Sequence, residues 1–200
     1  MSSSSQRKAL IELAQQHGGT LTTKMVTEQG LLRGSLKYLE SRGHLQKVSR
    51  GVYTLPDAFD DELLAQQSRY SRGIYALETA LYLANMTDRT PQRYHMVFPE
   101  SYNLSSPKRE GILCSTQVEK LYQAGIVSLK SPHGNNVRAY CPERTLCDIL
   151  RIRNHVDIQV IAEAFKRYMR LPTRNIPLLA EYAQLLHVER KVQSYLEVLL

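Results

Sequence analysis

Arg33, Ser35, Lys37 and Tyr38 lie close together in the chain, and Lys47, Ser49 and Arg50 follow after a short interval. Guanidinium and ammonium groups neutralise phosphates, and they also donate to O6 and N7 of guanine. Serine and tyrosine hydroxyls can donate to phosphate oxygens. Residue type alone does not divide these side chains between base edges and backbone. The chemistry is that of gripping double-stranded DNA, not of making or breaking a bond; the other reading is a merely solvated face on a unit that mediates protein contacts.

A second group is Glu143, Arg144, Thr145 and Asp148. Two carboxylates beside a guanidinium could hold a substrate or contact an anion. Equally, Glu143 suits the positive end of a helix dipole, and Arg144 and Asp148 have the spacing of an ion pair on one helix face. Glu143 and Asp148 do not have the three- or four-residue spacing that stacks side chains, which favours the second, structural arrangement. Cys114, Cys141 and Cys147 are an odd number without zinc-type pairing, and the six histidines are scattered, so no metal site is expected. There is no glycine-rich phosphate loop and no Ser/His/Asp spacing. No catalytic residue is assigned, no enzyme is inferred and no cofactor is expected.

The elements that must carry the first group can be read from pattern. Leu10, Ile11, Leu13 and Ala14 recur at helical spacing, and Gly18-Gly19 ends that helix. Thr20, Thr22 and Thr23 offer hydroxyls to cap a short second helix containing Met25 and Val26, closed by Gly30. A third helix is expected over 31–43, with Leu32, Leu36 and Leu39 inward and Arg33, Lys37, Tyr38 and Ser41 outward. Beyond Gly43 the period changes to two. Leu45, Lys47 and Ser49 alternate with Gln46, Val48 and Arg50, and Gly51 turns the chain into Val52-Tyr53-Thr54-Leu55. Three helices and a hairpin with a basic tip make a winged helix-turn-helix, in which the third helix enters the major groove and the wing follows the phosphates.

Composition is consistent with that partner. The chain of 200 residues is 42% hydrophobic and 22% charged, ordinary for a folded protein. Its net charge is +7, and about +5 of it falls before Pro56, where Arg7, Lys8, Lys24, Arg33, Lys37, Arg42, Lys47 and Arg50 face only Glu12, Glu28 and Glu40. No apolar run suits a membrane helix, and Met1 to Gln6 lacks the apolar stretch of a signal peptide, so a cytoplasmic protein is expected.

After Pro56 the character changes. Asp57, Asp60, Asp61 and Glu62 mark an acidic boundary, and 57–73 is expected to be a linker helix. Residues 74–200 then form a second domain. A helix is expected from Ile74 to Met86, strands at Tyr94–Pro99, Ile126–Leu129 and Val137–Tyr140, and helices over Pro142–Arg153, Asp157–Met169, Ile176–Leu186 and Val188–Leu199. The fold class is α+β: an N-terminal winged helix-turn-helix domain over 1–56, then a mixed α/β domain with a helical C-terminal half. Lys108, Arg109, Lys120, Lys130, Arg138, Arg151, Arg153, Lys166, Arg167, Arg170 and Arg174 are read as a solvated face balanced by neighbouring acids. Tyr94, Tyr102, Tyr122, Tyr140, Tyr168, Tyr182 and Tyr195 are read as core or boundary residues.

Three segments in this order, Arg50-Gly51-Val52-Tyr53, Ile74-Tyr75-Ala76-Leu77-Glu78-Thr79-Ala80-Leu81, and Ser131-Pro132-His133-Gly134-Asn135 leading to Glu143-Arg144-Thr145-Leu146-Cys147-Asp148, resemble the AbiEi family. These are the antitoxins of bacterial abortive-infection, type IV toxin–antitoxin systems. The resemblance implies an N-terminal domain that binds inverted repeats upstream of its own operon and represses transcription. It implies a C-terminal domain that counteracts a nucleotidyltransferase-like toxin without a stable complex, in phage defence. Glu143, Arg144 and Asp148 are then the candidate site of the antitoxin domain. A monomer or weak dimer would place two copies on the operator. A ligand-responsive repressor and an enzyme carried by a DNA-binding domain stay open as other readings.

Overall fold

The computed structural model describes residues 3–58 and 61–199, so Met1, Ser2 and Asp60, which entered the sequence reading, lie outside the described residues. The fold is mixed α+β. Contacts divide it into two compact units, one taking in the chain up to Ser71 together with Lys130–Val137, the other Arg72–Leu129 and the chain from Arg138.

In the first unit, α1 (Ser3–Gln16) buries Leu10, Leu13 and Ala14 along one face. Gly18 and Gly19 end it at φ +62° and +84°, and a Cβ on Gly18 would come within 2.6 Å of the His133 carbonyl oxygen. Only glycine meets both demands there. The chain next forms β1 (Thr20–Thr22), α2 (Thr23–Glu28), α3 (Gly34–Ser41), β2 (Gln46–Ser49) and β3 (Val52–Thr54). Thr22 does cap α2, its Oγ1 accepting from Met25 N at 3.2 Å. The same threonines also make a strand that the sequence reading did not expect: β1 pairs antiparallel with β3, giving a three-stranded sheet of order β1-β3-β2. A three-residue strand is too short to show a period of two.

The third helix is shorter than expected, and its inward stripe differs. Leu36 and Leu39 are buried, but Leu32 is 62% exposed. Gly30 at φ +66° and the bond from Leu31 N to Val26 O (2.9 Å) turn the chain so that Leu31, not Leu32, packs on the core.

α4 (Glu62–Arg69) occupies the stretch expected to be a linker, yet it groups with the first unit and buries Leu63, Leu64 and Gln67. The chain passes between the compact units at 71/72, 129/130 and 137/138. Asp61, 2% exposed, organises this region. Its Oδ1 accepts from Leu64 N (3.0 Å), capping α4, while Oδ2 accepts from Ser131 Oγ (2.5 Å) and Asn135 Nδ2 (2.8 Å). One carboxylate thus satisfies a helix end and the Ser131–Asn135 turn.

The second unit opens with β4 (Ile74–Tyr75), where a helix start was expected; the helix, α5, runs only from Leu77 to Leu83. Ile74 to Leu77 are all buried, and a run buried on every side carries no period to tell strand from helix. β5 (His95–Pro99), α6 (Ser105–Arg109), β6 (Leu113–Gln117), α7 (Glu119–Gln123), β7 (Ile126–Lys130) and β8 (Asn136–Tyr140) follow. The sheet order is β6-β5-β4-β8-β7, with β4 antiparallel to β5 and parallel to β8, and β5 parallel to β6. β6, α6 and α7 were not expected. α8 (Pro142–Ile149), a 3₁₀ turn (Ile152–Asn154), α9 (Ile158–Arg170), α10 (Ile176–Leu186) and α11 (Glu189–Leu199) complete the helical half that the sequence predicts. Asp157 and Asn175 cap α9 and α10. Phe165, Tyr168, Leu146, Leu179 and Leu81 lie at the centre of the apolar core.

Two outcomes follow from these contacts. Asp61→Ala removes a cap and leaves Ser131 and Asn135 without their shared acceptor, so urea denaturation is expected to show a loss of about 2–4 kcal/mol, with Asp61→Asn losing less. His95 on β5 is neutral in the folded protein because burial pushes its imidazole down to about 4, while Nε2 lies 3.1 Å from Ser115 Oγ. The unfolded chain takes up this proton near pH 6.5. The contribution is therefore complete above that pH and is lost progressively as pH falls towards 4. Urea midpoints between pH 7 and 4 should fall more steeply for the wild type than for His95→Gln.

Candidate nucleic-acid interface

The candidate residues on α3 and the hairpin belong to the first unit, and the helix and sheet they stand on are set by its core. Leu36 and Leu39 fix the inward side of α3, which turns Lys37 and Tyr38 outward; both are exposed. Arg33, at the helix start, is exposed but not slack, since its Nε donates to Thr27 Oγ1 at 2.7 Å, tethering it to α2. Ser35 is half-buried.

Tyr38 has cations on it that the sequence reading did not associate with it. The guanidinium carbon of Arg7 lies 4.1 Å from the ring centroid and that of Arg42 lies 5.5 Å away. Cation–π attraction holds both charges beside the phenol ring. Arg42 stands one turn beyond Tyr38, a spacing that could have been noticed. Arg7 comes from α1, and no local signal links it to α3. The result is a cluster of positive charge on α3 to which the first helix contributes.

On the hairpin, Lys47, Val48 and Arg50 are exposed, and Gly51 at φ +79° makes the turn. Strict alternation placed Lys47 and Ser49 on one face. The pairing instead runs Lys47↔Tyr53 and then Ser49↔Val52, so Val48 is an extra residue in β2. Such a bulge breaks the alternation. Ser49 Oγ is shut away from solvent, leaving Lys47 and Arg50 as the exposed candidate residues of the wing.

Glu143, Arg144 and Asp148 are brought together, but inside the second unit, at 5%, 0% and 4% exposure. Arg144 Nε donates to Asp148 Oδ2 (2.8 Å), and Nη1 donates to the carbonyls of Leu121 (2.9 Å) and Ala124 (3.2 Å). Its guanidinium lies 4.7 Å from the Tyr140 ring centroid. Asp148 Oδ1 is 3.5 Å from Arg151 Nη1. Glu143 Oε1 accepts from the Tyr168 hydroxyl (2.9 Å), which accepts from Asn175 N (2.8 Å). These contacts join α7, α8, α9 and the start of α10. They are the internal arrangement that the spacing favoured, and Arg144 offers no exposed face to an anion.

Burial also quiets the nearby reactive groups. The Cys141 thiol is pushed up to about 11 and that of Cys147 to about 12, so both are protonated near neutral pH. Desolvation raises the Tyr140 and Tyr168 hydroxyls as well. Among the described residues no three His, Cys, Asp or Glu side chains are grouped to hold a metal, and no helix is long and apolar enough to cross a membrane. Of the second unit's basic residues, Lys108, Arg109, Lys120, Arg138, Arg153, Lys166, Arg170 and Arg174 are exposed, whereas Arg167 pairs with Asp88 and with Glu163 (3.0 Å). Tyr122, Tyr140 and Tyr168 are buried, and Tyr94, Tyr102, Tyr182 and Tyr195 are half-buried, as core and boundary positions require.

Comparison with known proteins bears mainly on the first unit. Residues 8–56 match the model of the family described as transcriptional regulator, AbiEi antitoxin, in agreement with the resemblance read from the sequence. No curated protein matches the chain. A crystal structure of the RV2827C protein from Mycobacterium tuberculosis aligns with a TM-score of 0.51 at 16% identity, over 94% of this chain and 79% of that one, a likeness of fold alone.

The buried ion pair yields a prediction about role. Arg144→Ala leaves Asp148 enclosed without its main partner and should cost about 3–5 kcal/mol in chemical denaturation. Replacing both residues by leucine should cost clearly less than the single change. If Arg144 instead served an external ligand, its loss would leave stability nearly untouched.

Proposed function

We propose that this protein is an autoregulating antitoxin whose first unit binds double-stranded DNA at inverted repeats in its own promoter and represses transcription. The observation that carries this reading is the exposed basic row of Arg33, Lys37, Lys47 and Arg50 on a helix and hairpin inside the segment that matches an antitoxin transcriptional regulator family. Tyr38, also exposed on α3, has Arg7 and Arg42 beside it. Ser35 is a helix-side contact in this reading, whereas the hydroxyl of Ser49 is enclosed and not presented to a phosphate in the free protein. Phosphate contacts would supply most of the affinity and base contacts from α3 the selectivity.

The resemblance extends the reading to a non-enzymatic, cytoplasmic, type IV antitoxin. Its second unit would oppose a nucleotidyltransferase-like toxin without a stable complex, as part of phage defence. Two copies, supplied by a monomer or a weak dimer, would occupy the operator. Within that unit Glu143, Arg144 and Asp148, the candidate site suggested by the resemblance, are enclosed, which supports a structural role for them over direct contact with the toxin.

The test is a mobility shift of the full-length protein with the duplex immediately upstream of its own gene, against an unrelated duplex, across a salt series. Selective binding is expected. Arg50→Ala should weaken binding to both duplexes several-fold and lower the salt slope by about 1, as one lost phosphate contact does. Lys37→Ala should weaken the operator more than the unrelated duplex. Equal, salt-labile binding of both duplexes by the wild type would contradict operator recognition.

A further inference from the structure

Leu32 is a large apolar side chain that the first unit leaves in solvent at 62% exposure. Its direction is set by its neighbours. Leu31 N is bound to Val26 O at 2.9 Å and Leu31 packs on the core, Leu32 O accepts from Ser35 N at 3.1 Å, and Arg33 is tethered to Thr27. The leucine is therefore presented outward by a fixed turn at the N-terminal end of α3, the end that enters the major groove in a helix-turn-helix. The other outward side chains of this helix and its wing include Arg33, Lys37, Lys47 and Arg50, a charge complement to phosphate. The apolar group that the major groove offers is the 5-methyl group of thymine.

We propose that Leu32 is a specificity-determining residue that reads a thymine through that methyl group. The inference rests on the DNA-binding reading above and adds to it the chemical identity of one recognised base. It also gives the exposed leucine a reason: contact with the methyl removes apolar surface from water that the free protein leaves wet.

The experiment titrates full-length protein with the duplex upstream of its own gene, amplified with either dTTP or dUTP, because uracil differs from thymine only by the methyl group. The wild type should bind the thymine duplex about fourfold more tightly or better, the worth of one methyl group moved out of water. Leu32→Ala should bind the thymine duplex more weakly and bring the ratio close to one, while Leu32→Ile should restore it. Circular dichroism melts establish that both variants are folded, as an exposed position predicts. An undiminished ratio in Leu32→Ala overturns the proposal, and so does an equal loss on both duplexes, which would assign the leucine to a protein contact. A wild type that binds the operator selectively but without a thymine preference overturns it too. A wild type with no selective binding removes the DNA reading itself, and that is visible before any variant is compared.

Discussion

A guanidinium sealed from water is the constraint on which the second unit turns. Arg144 is 0% exposed, and an ion moved out of water costs several kcal/mol unless its surroundings replace the lost hydration. Asp148 supplies the opposite charge from the next turn of α8, the Leu121 and Ala124 carbonyls supply acceptors at α7, and the Tyr140 ring covers one face. Each partner has to be in place for the others to be tolerated. The chain makes room at Gly125, where a Cβ would lie 3.0 Å from that of Arg144 and 3.1 Å from the Tyr182 hydroxyl. Glu143, one residue earlier, reaches the other way to Tyr168 and through it to Asn175. A short stretch of α8 therefore orders elements far apart in sequence, although Arg144 Nη2 is enclosed without a hydrogen-bond partner.

The first unit encloses one carboxylate, Asp61, and keeps its cations at the surface, Arg33, Lys37 and Arg42 at α3 and Lys47 and Arg50 on the hairpin among them. Binding to a polyanion benefits from cations that are already oriented, since less side-chain freedom is then lost on contact. The Arg33–Thr27 bond and the Arg7 and Arg42 contacts with Tyr38 provide that orientation at the surface, where isolated charges would otherwise be loosely held.

What could be read from the sequence divides along the range of the interactions involved. α9, α10 and α11 have long apolar periods, and α9 and α10 also have side-chain caps in Asp157 and Asn175; the Ile176–Leu186 helix was read with its observed bounds. The winged-helix order was legible because its turns fall at glycines that need positive φ, such as Gly30 and Gly51. The Arg144–Asp148 pair was legible from spacing, but the carbonyls that Arg144 also serves, on the far side of the two strands β7 and β8, were not. β1 and β4 are too short or too buried to show a period. Leu32 was misplaced because a single turn decides which of two adjacent leucines faces inward, and Ser49 because one extra residue in β2 reverses a parity that the sequence does not mark.

The union of the N-terminal segment with Lys130–Val137 bears on how proteins of this architecture can be shuffled. A recombination event that joined a foreign companion domain after residue 71 would deliver the winged helix, but not the Ser131 and Asn135 that satisfy its Asp61. The newcomer would have to bring an equivalent turn in a distant part of its own gene, or the carboxylate would have to change at the same time. The chain's interleaving thus works against modular exchange and favours inheritance of both halves together.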